Sequence, residues 1–235
     1  MSKEQELYDQ VNRLKWHSHS QDEISNQTGW IPSSLTWTYA SASTYTIPGD
    51  VTATYQKGTY LKWLQTTQKY AVIASSSYSA PKTTVTIIVN TDYTIANAEI
   101  TSPYYSYAAN PQGWPGWFAW SPTLTGYSAN PTNAVYRFTV NGTLLNFIIR
   151  EAGNGTSNAA TLTISTPVTA KVYSGALWGG AAAYVDNGSA STVYGRWVIG
   201  SGESALTFGV NPTASGGFTS SGSKRISFCQ GFYEI

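Results

Sequence analysis

From Gly29 onward the chain alternates apolar and polar positions in short runs, each ended by glycine, proline, asparagine or aspartate. Leu35-Thr36-Trp37-Thr38-Tyr39 sends successive side chains to opposite faces, as a half-buried strand does. Thr44-Tyr45-Thr46-Ile47 repeats the pattern until Pro48-Gly49-Asp50 supplies a turn, and Val51 to Tyr55 resumes it. Tyr60 to Leu64, Tyr70 to Ala74 and Thr84 to Val89 predict three further strands. In the second half, Arg137 to Val140 and Leu144 to Ile149 flank Asn141-Gly142, a hairpin turn signal. Thr161 to Ile164, Arg196 to Ile199, Leu206 to Phe208 and Arg225 to Phe228 complete the predicted set. Strands spaced about 8 to 12 residues apart suit a sandwich or a small barrel.

The first 28 residues follow a different period. Ser2 and Gln5 offer a capping box, and Leu7, Val11 and Leu14 fall at i, i+4 and i+7. That predicts a short N-terminal helix with one narrow apolar stripe, too thin to be stable alone. It calls for partners, either copies of itself or a docking groove. Two β domains are expected to follow, at 29–121 and 134–235, joined by a linker over 122–133. The segment Asn110 to Pro122 holds Trp114, Trp117 and Trp120 among prolines, which no regular central strand tolerates. It is expected to close the first domain.

Composition supports the all-β assignment. The 235 residues include 28 Ser, 30 Thr, 17 Tyr and 9 Trp, while charged residues make up only 11%. β-branched and aromatic residues favour pleated surfaces, and the Glu, Lys and Leu of long helices are scarce. Net charge is +1, so no electrostatic footprint for nucleic acid is present. One cysteine, Cys229, excludes an intrachain disulfide. No apolar run approaches a membrane span, so no membrane insertion is expected, and the polar start MSKEQELYDQ lacks a signal-peptide core. Synthesis in a cytoplasm is expected.

Candidate chemistry is sparse. His17 and His19 are the only histidines and both precede the β domains, which leaves no Ser-His-Asp triad within either. Asp50, Asp92, Glu99, Glu151, Asp186 and Glu203 are available carboxylates, but nothing in the sequence fixes a pair at glycosidase spacing. The chain is expected not to be an enzyme. In a parallel trimer, His17-Ser18-His19 would set six imidazoles around one axis, a donor set suited to a divalent transition metal. Trp114, Trp117 and Trp120, with Trp178 apart from them, are candidate platforms for a sugar ring. Tryptophan is highly buried on average, so a core or a subunit interface is the stronger reading of the same residues.

The run His17 to Ile24, HSHSQDEI, resembles the His-x-His linker of bacteriophage tail-fibre proteins. Thr46 to Ala53 with Gly58-Thr59 and Lys69-Tyr70 resembles a module repeated in phage structural proteins. Gly155 to Asn158, Thr163 to Ala170, Asp186-Asn187-Gly188 and Tyr233-Glu234-Ile235 resemble a second one. These resemblances imply a phage virion structural protein, a homotrimer with two β-sandwich or jelly-roll-like domains. They imply a tail fibre or receptor-binding role toward host-surface carbohydrate, with iron as the candidate metal at His17 and His19. Leu7, Val11 and Leu14 would then mediate trimerisation or docking on other virion proteins. The alternative is a capsid decoration protein or head fibre anchored by the same helix.

Overall fold

Tyr70 to Ala74 carries no polar break, and a strand that is apolar on both faces must be covered on both. It is. Leu61, Trp63, Ala71 and Ile73 face one core, while Tyr60, Val72 and Ile88 belong to a second core shared with the C-terminal half. The computed structural model describes residues 3, 5, 6, 8–12, 28–175, 177–212 and 217–235. Among these the chain is almost entirely antiparallel β, arranged in a 7-stranded and a 12-stranded sheet.

The first sheet contains β1 (Ile31–Pro32), β2 (Thr38–Ser41), β3 (Thr44–Pro48), β4 (Tyr60–Leu64), β5 (Gln68–Ser79), β6 (Lys82–Ile87) and β7 (Thr101–Ser106). Its order is β1-β7-β4-β5-β6-β3-β2. The long β5 pairs with β4 through its first half and with β6 through its second, and the register shifts between Ile73 and Ser75. An extra residue at such a shift bends a strand. The bend lets the two half-sheets enclose Trp37, Tyr45, Tyr55, Trp63 and Ile87, a sandwich-like arrangement. Trp37 stacks on Tyr45 at 4.4 Å and donates its indole N–H to the Tyr55 hydroxyl at 3.3 Å.

The second sheet contains β8 (Phe118–Ala119), β9 (Leu124–Thr125), β10 (Tyr127–Ala129), β11 (Ala134–Asn141), β12 (Leu144–Glu151), β13 (Gly155–Ser157), β14 (Leu162–Ser165), β15 (Leu177–Asp186), β16 (Ser189–Ala190), β17 (Gly195–Gly200), β18 (Ala205–Gly209) and β19 (Ser223–Glu234). Its path runs β8-β11-β12-β19-β15-β17-β18-β14-β9. The two ends of that path are neighbours in sequence. The segment from Phe118 to Thr125 therefore pairs with β11, breaks at Ser121-Pro122, and pairs with β14. One broken segment closes the sheet around a single interior, with Phe138, Phe147, Ile164, Trp197, Leu206 and Tyr233 buried inside.

The predicted strands appear with two exceptions. Val51 to Tyr55 is a turn: the Asp50 carboxylate accepts from the Thr52 amide and hydroxyl, and Thr54 and Tyr55 both donate to the Val51 carbonyl. An aspartate hydrogen-bonding two residues on diverts a chain from strand pairing. Leu35 and Thr36 lie before β2 rather than in it. The segment 122–133 is not a free linker. It holds β9 and β10, with Pro122 and Pro131 outside both strands.

The sequence of β15, LWGGAAAYVD, has little side-chain bulk, and its neighbour explains this. Gly180 lies opposite Trp197, and a Cβ there would lie 2.7 Å from the indole Nε1. A Cβ on Gly231 would lie 2.0 Å from Trp197 Cζ2. The glycines make room for a large buried ring. Gly231→Ala is expected to cost about 1–3 kcal/mol by overpacking, read as a lower urea midpoint. An unchanged midpoint would mean that the ring has room to shift.

At the N-terminus, Lys3, Gln5, Glu6 and residues 8–12 are helical. Val11, the described member of the stripe, is 42% exposed. Leu7, Leu14, His17 and His19 lie outside the described residues. Among the described residues no helix is long and apolar enough to cross a membrane.

Candidate functional site

The break that closes the second sheet also opens a groove. Beyond the bond from the Trp120 amide to the Tyr136 carbonyl (3.2 Å), β8 no longer follows β11. Ser121-Pro122 turns away toward β14, anchored by Ser165 bonds to Thr123. The recess left beside Ala134 and Val135 measures about 510 Å³. That falls within the range of small-molecule sites. Its apolar lining comes from Pro122, Leu124 and Pro131 with the rings of Trp120 and Tyr136, which meet edge-on at 5.6 Å. Its polar lining comes from Asp92, Ser121, Asn130 and Arg137.

Both β units contribute. Asp92 follows β6 in the first unit, and its Oδ2 accepts the Ala119 amide at 2.7 Å. Arg137 lies on β11 and donates from Nη2 to the Trp117 carbonyl at 2.8 Å. The two charges stand 4.0 Å apart, with side chains 36% and 46% exposed. An exposed pair at that separation adds little stability. Its hydrogen-bonding capacity is left for something else.

Behind the groove lies a buried polar network. The Tyr136 hydroxyl donates to Glu151 Oε1 at 2.8 Å, and the Tyr127 hydroxyl donates to Oε2 at 3.1 Å. The Ile226 amide donates to Oε2 at 2.6 Å. Burial holds the Glu151 carboxyl above its ordinary range, opposed by these three hydrogen bonds and by the Arg225 charge. Burial, and then the Glu151 charge, push both tyrosines up. Lys224 is wholly buried nearby, its Nζ 5.4 Å from the centres of the Tyr127 and Phe218 rings. It donates to the carbonyls of Ala159 (2.6 Å) and Thr161 (3.3 Å), and burial lowers its pKa against the pull of Asp186. A satisfied network of this kind stiffens the wall that carries Tyr136.

The four tryptophans singled out from sequence do not share one site. Trp114 is half-buried between the units, stacked on Tyr60 at 4.3 Å. Trp117 is half-buried and lines a different recess, with Ile148 and Phe232. Trp120 lines the groove but is 6% exposed, and its indole N–H is committed to the Ser165 carbonyl at 3.0 Å. Trp178 lies beside Tyr173, at 6.2 Å, near the exposed Leu177.

The carboxylates are likewise dispersed. Asp50 closes its own turn, Asp186 clasps Thr219, and Glu203 accepts from the Gly200 amide. Among the described residues no two carboxylates share a hydrogen-bond partner. No three His, Cys, Asp or Glu side chains come together among them either. Cys229 is buried, and burial pushes its thiol up, away from reactivity.

Asn130, Tyr136 and Arg137 are the groove residues that sequence reasoning passed over, and Asp92 stood there only as one of six dispersed carboxylates. Asn130-Pro131 and Ser121-Pro122 were the available signals. Two such breaks flanking short apolar runs mark places where backbone leaves a sheet. No protein-family model, no curated protein and no solved structure matches the chain.

Proposed function

We propose that the chain is a bacteriophage virion structural protein, a tail fibre or receptor-binding protein that engages a host-surface glycan without catalysis. The observation that carries the glycan part is the groove: an apolar floor edged by aromatic rings and ringed by a carboxylate, a guanidinium and an amide. Sugars present apolar C–H faces and hydroxyl edges, and proteins meet them with rings and planar polar groups. The virion part rests on the resemblances at His17 to Ile24 and in the two β halves.

In this reading the protein is a homotrimer of sandwich or jelly-roll-like units. Leu7, Val11 and Leu14 hold the stem, and His17 and His19 order its exit. Three weak grooves on one particle gain strength through effective concentration, so no single site has to bind tightly. Residence is on the virion after synthesis in the host cytoplasm.

A specific observation favours the second reading. Phe228 and Phe232 on β19 are 45% and 55% exposed on the outer face of the second sheet. Aromatic exposure of that kind suits a flat contact with a shell or with other copies. A capsid decoration protein or head fibre, docked through the N-terminal helix, would use it.

Antibody labelling of intact virions under the electron microscope tests both. Label at the tail or its fibres is the expected result. Label spread over the capsid moves the protein to decoration, and unlabelled particles overturn the virion proposal.

A further inference from the structure

We infer that the groove takes a neutral saccharide and grips it by a vicinal diol, at Asp92 and Arg137. This rests on the glycan reading above and narrows its ligand class.

Each of the two side chains is pinned and yet unfinished. Asp92 spends Oδ2 on the Ala119 amide, and among the described residues Oδ1 has no partner. Arg137 spends Nη2 on the Trp117 carbonyl, leaving Nε and Nη1 without a partner among the described residues. The backbone anchors fix where the free atoms sit, so little side-chain order remains to be lost on binding. What remains is one carboxylate oxygen and unspent guanidinium N–H groups, on side chains whose nearest charged atoms stand 4.0 Å apart. A pair of adjacent hydroxyls, each able to donate one hydrogen bond and accept others, satisfies both at once. A lone hydroxyl can donate to Asp92 and accept one guanidinium N–H, and it leaves the other N–H groups of Arg137 unmet.

Charge sets the second restriction. With opposite charges 4.0 Å apart, the rim has no net sign. A sugar carboxylate drawn to Arg137 would be held against Asp92, and like charges in such proximity disfavour each other. The floor sets the third. Pro122, Leu124 and Pro131 present aliphatic surface where a charged or amide-rich ligand would lose hydration without return. The C–H face of a pyranose fits that floor, with its diol edge turned to the rim. Asn130, exposed at the groove margin, adds a donor and an acceptor for a further hydroxyl.

Asp92 and Arg137 come from different β units, so the diol clamp exists only while the units keep their relative position. The shared core supplies that. Tyr60, Val72 and Ile88 of the first unit pack in one cluster with Phe118 and Phe138 of the second. Tyr60 also donates its hydroxyl to the Val140 carbonyl at 2.9 Å.

The test uses the full-length protein on an array of neutral hexose- and deoxyhexose-terminated oligosaccharides beside sialylated and uronic-acid-bearing ones. The strongest neutral oligosaccharide is then titrated calorimetrically. Asp92→Asn and Arg137→Met, both at solvent-accessible positions, are each expected to weaken it at least tenfold, with thermal unfolding little changed. The same oligosaccharide with one of the two diol hydroxyls removed should lose as much against wild type, because a site built to hydrogen-bond a hydroxyl rejects its absence. Preference for the acidic glycans, or neutral binding indifferent to both substitutions, would overturn the diol clamp and leave glycan recognition elsewhere on the protein standing. Binding to no glycan on the array would instead overturn the glycan reading itself, and the clamp with it.

Discussion

Glu151→Ala is expected to destabilise the protein by on the order of 3 kcal/mol, more than any surface substitution. Three donors lose their acceptor: the Tyr127 and Tyr136 hydroxyls and the Ile226 amide. Each buried donor left without a partner costs about 1–3 kcal/mol, and relief of the carboxylate's own burial offsets part of the sum. Glu151→Gln keeps an acceptor in place and should lose much less.

The pair also fixes a pH signature. Burial raises the folded-state pKa of Glu151 above its ordinary 4.5. For an acid shifted upward, the native state holds the proton more tightly than the unfolded chain does. Its contribution to stability is therefore complete below the unfolded pKa and is lost as pH rises through the folded one. Urea midpoints measured from pH 7 down to 4.5 should show wild type gaining on Glu151→Gln. A gap that narrows on acidification would mean that the three hydrogen bonds outweigh burial. Glycan binding should track the same residue, because Glu151 anchors the Tyr136 wall of the groove.

The sequence made the strand content legible because alternation is a local signal. Leu144 to Ile149 and Arg196 to Ile199 show their buried and exposed faces directly in the order of their residues. β15 was not legible. Its glycines and alanines answer to Trp197, which lies across the sheet rather than along the chain. The strands within 122–133 were hidden for a related reason: turn chemistry at Ser121-Pro122 marks a bend equally whether the bent segment leaves the fold or closes it.

The groove was half legible. Trp120 was visible as a candidate, but its partners Asp92 and Arg137 are 45 residues apart, by subtraction of their numbers, one in the bend after β6 and the other on β11. No periodicity joins them. What joins them is the two-sided burial of β4 and β5, which the unbroken apolar run at 70–74 does announce. That run says that the strand is covered twice. It does not say by what.

Trp114→Ala tests that cover most directly. The ring stacks on Tyr60 at 4.3 Å, meets Phe118 at 5.2 Å and stands 5.9 Å from Tyr70. It thus bridges strands of the first unit to the entry of the second sheet. Removing it leaves a cavity between the units, with an expected cost of about 3 kcal/mol. The cost should fall on coupling. In wild type one shared core makes the two units unfold together, so calorimetry should show one transition. Trp114→Ala should broaden or split it, with the first unit melting earlier. Tyr60→Phe, which deletes only the hydroxyl bond to the Val140 carbonyl, should lower the stability by about 1 kcal/mol and keep one transition. If Trp114→Ala melts in one unshifted step, the ring is a lid over the junction and the coupling resides in Tyr60, Val72 and Ile88. If it splits, a segment of prolines and tryptophans packs inward to hold two β units in register. The Asp92–Arg137 clamp depends on that register.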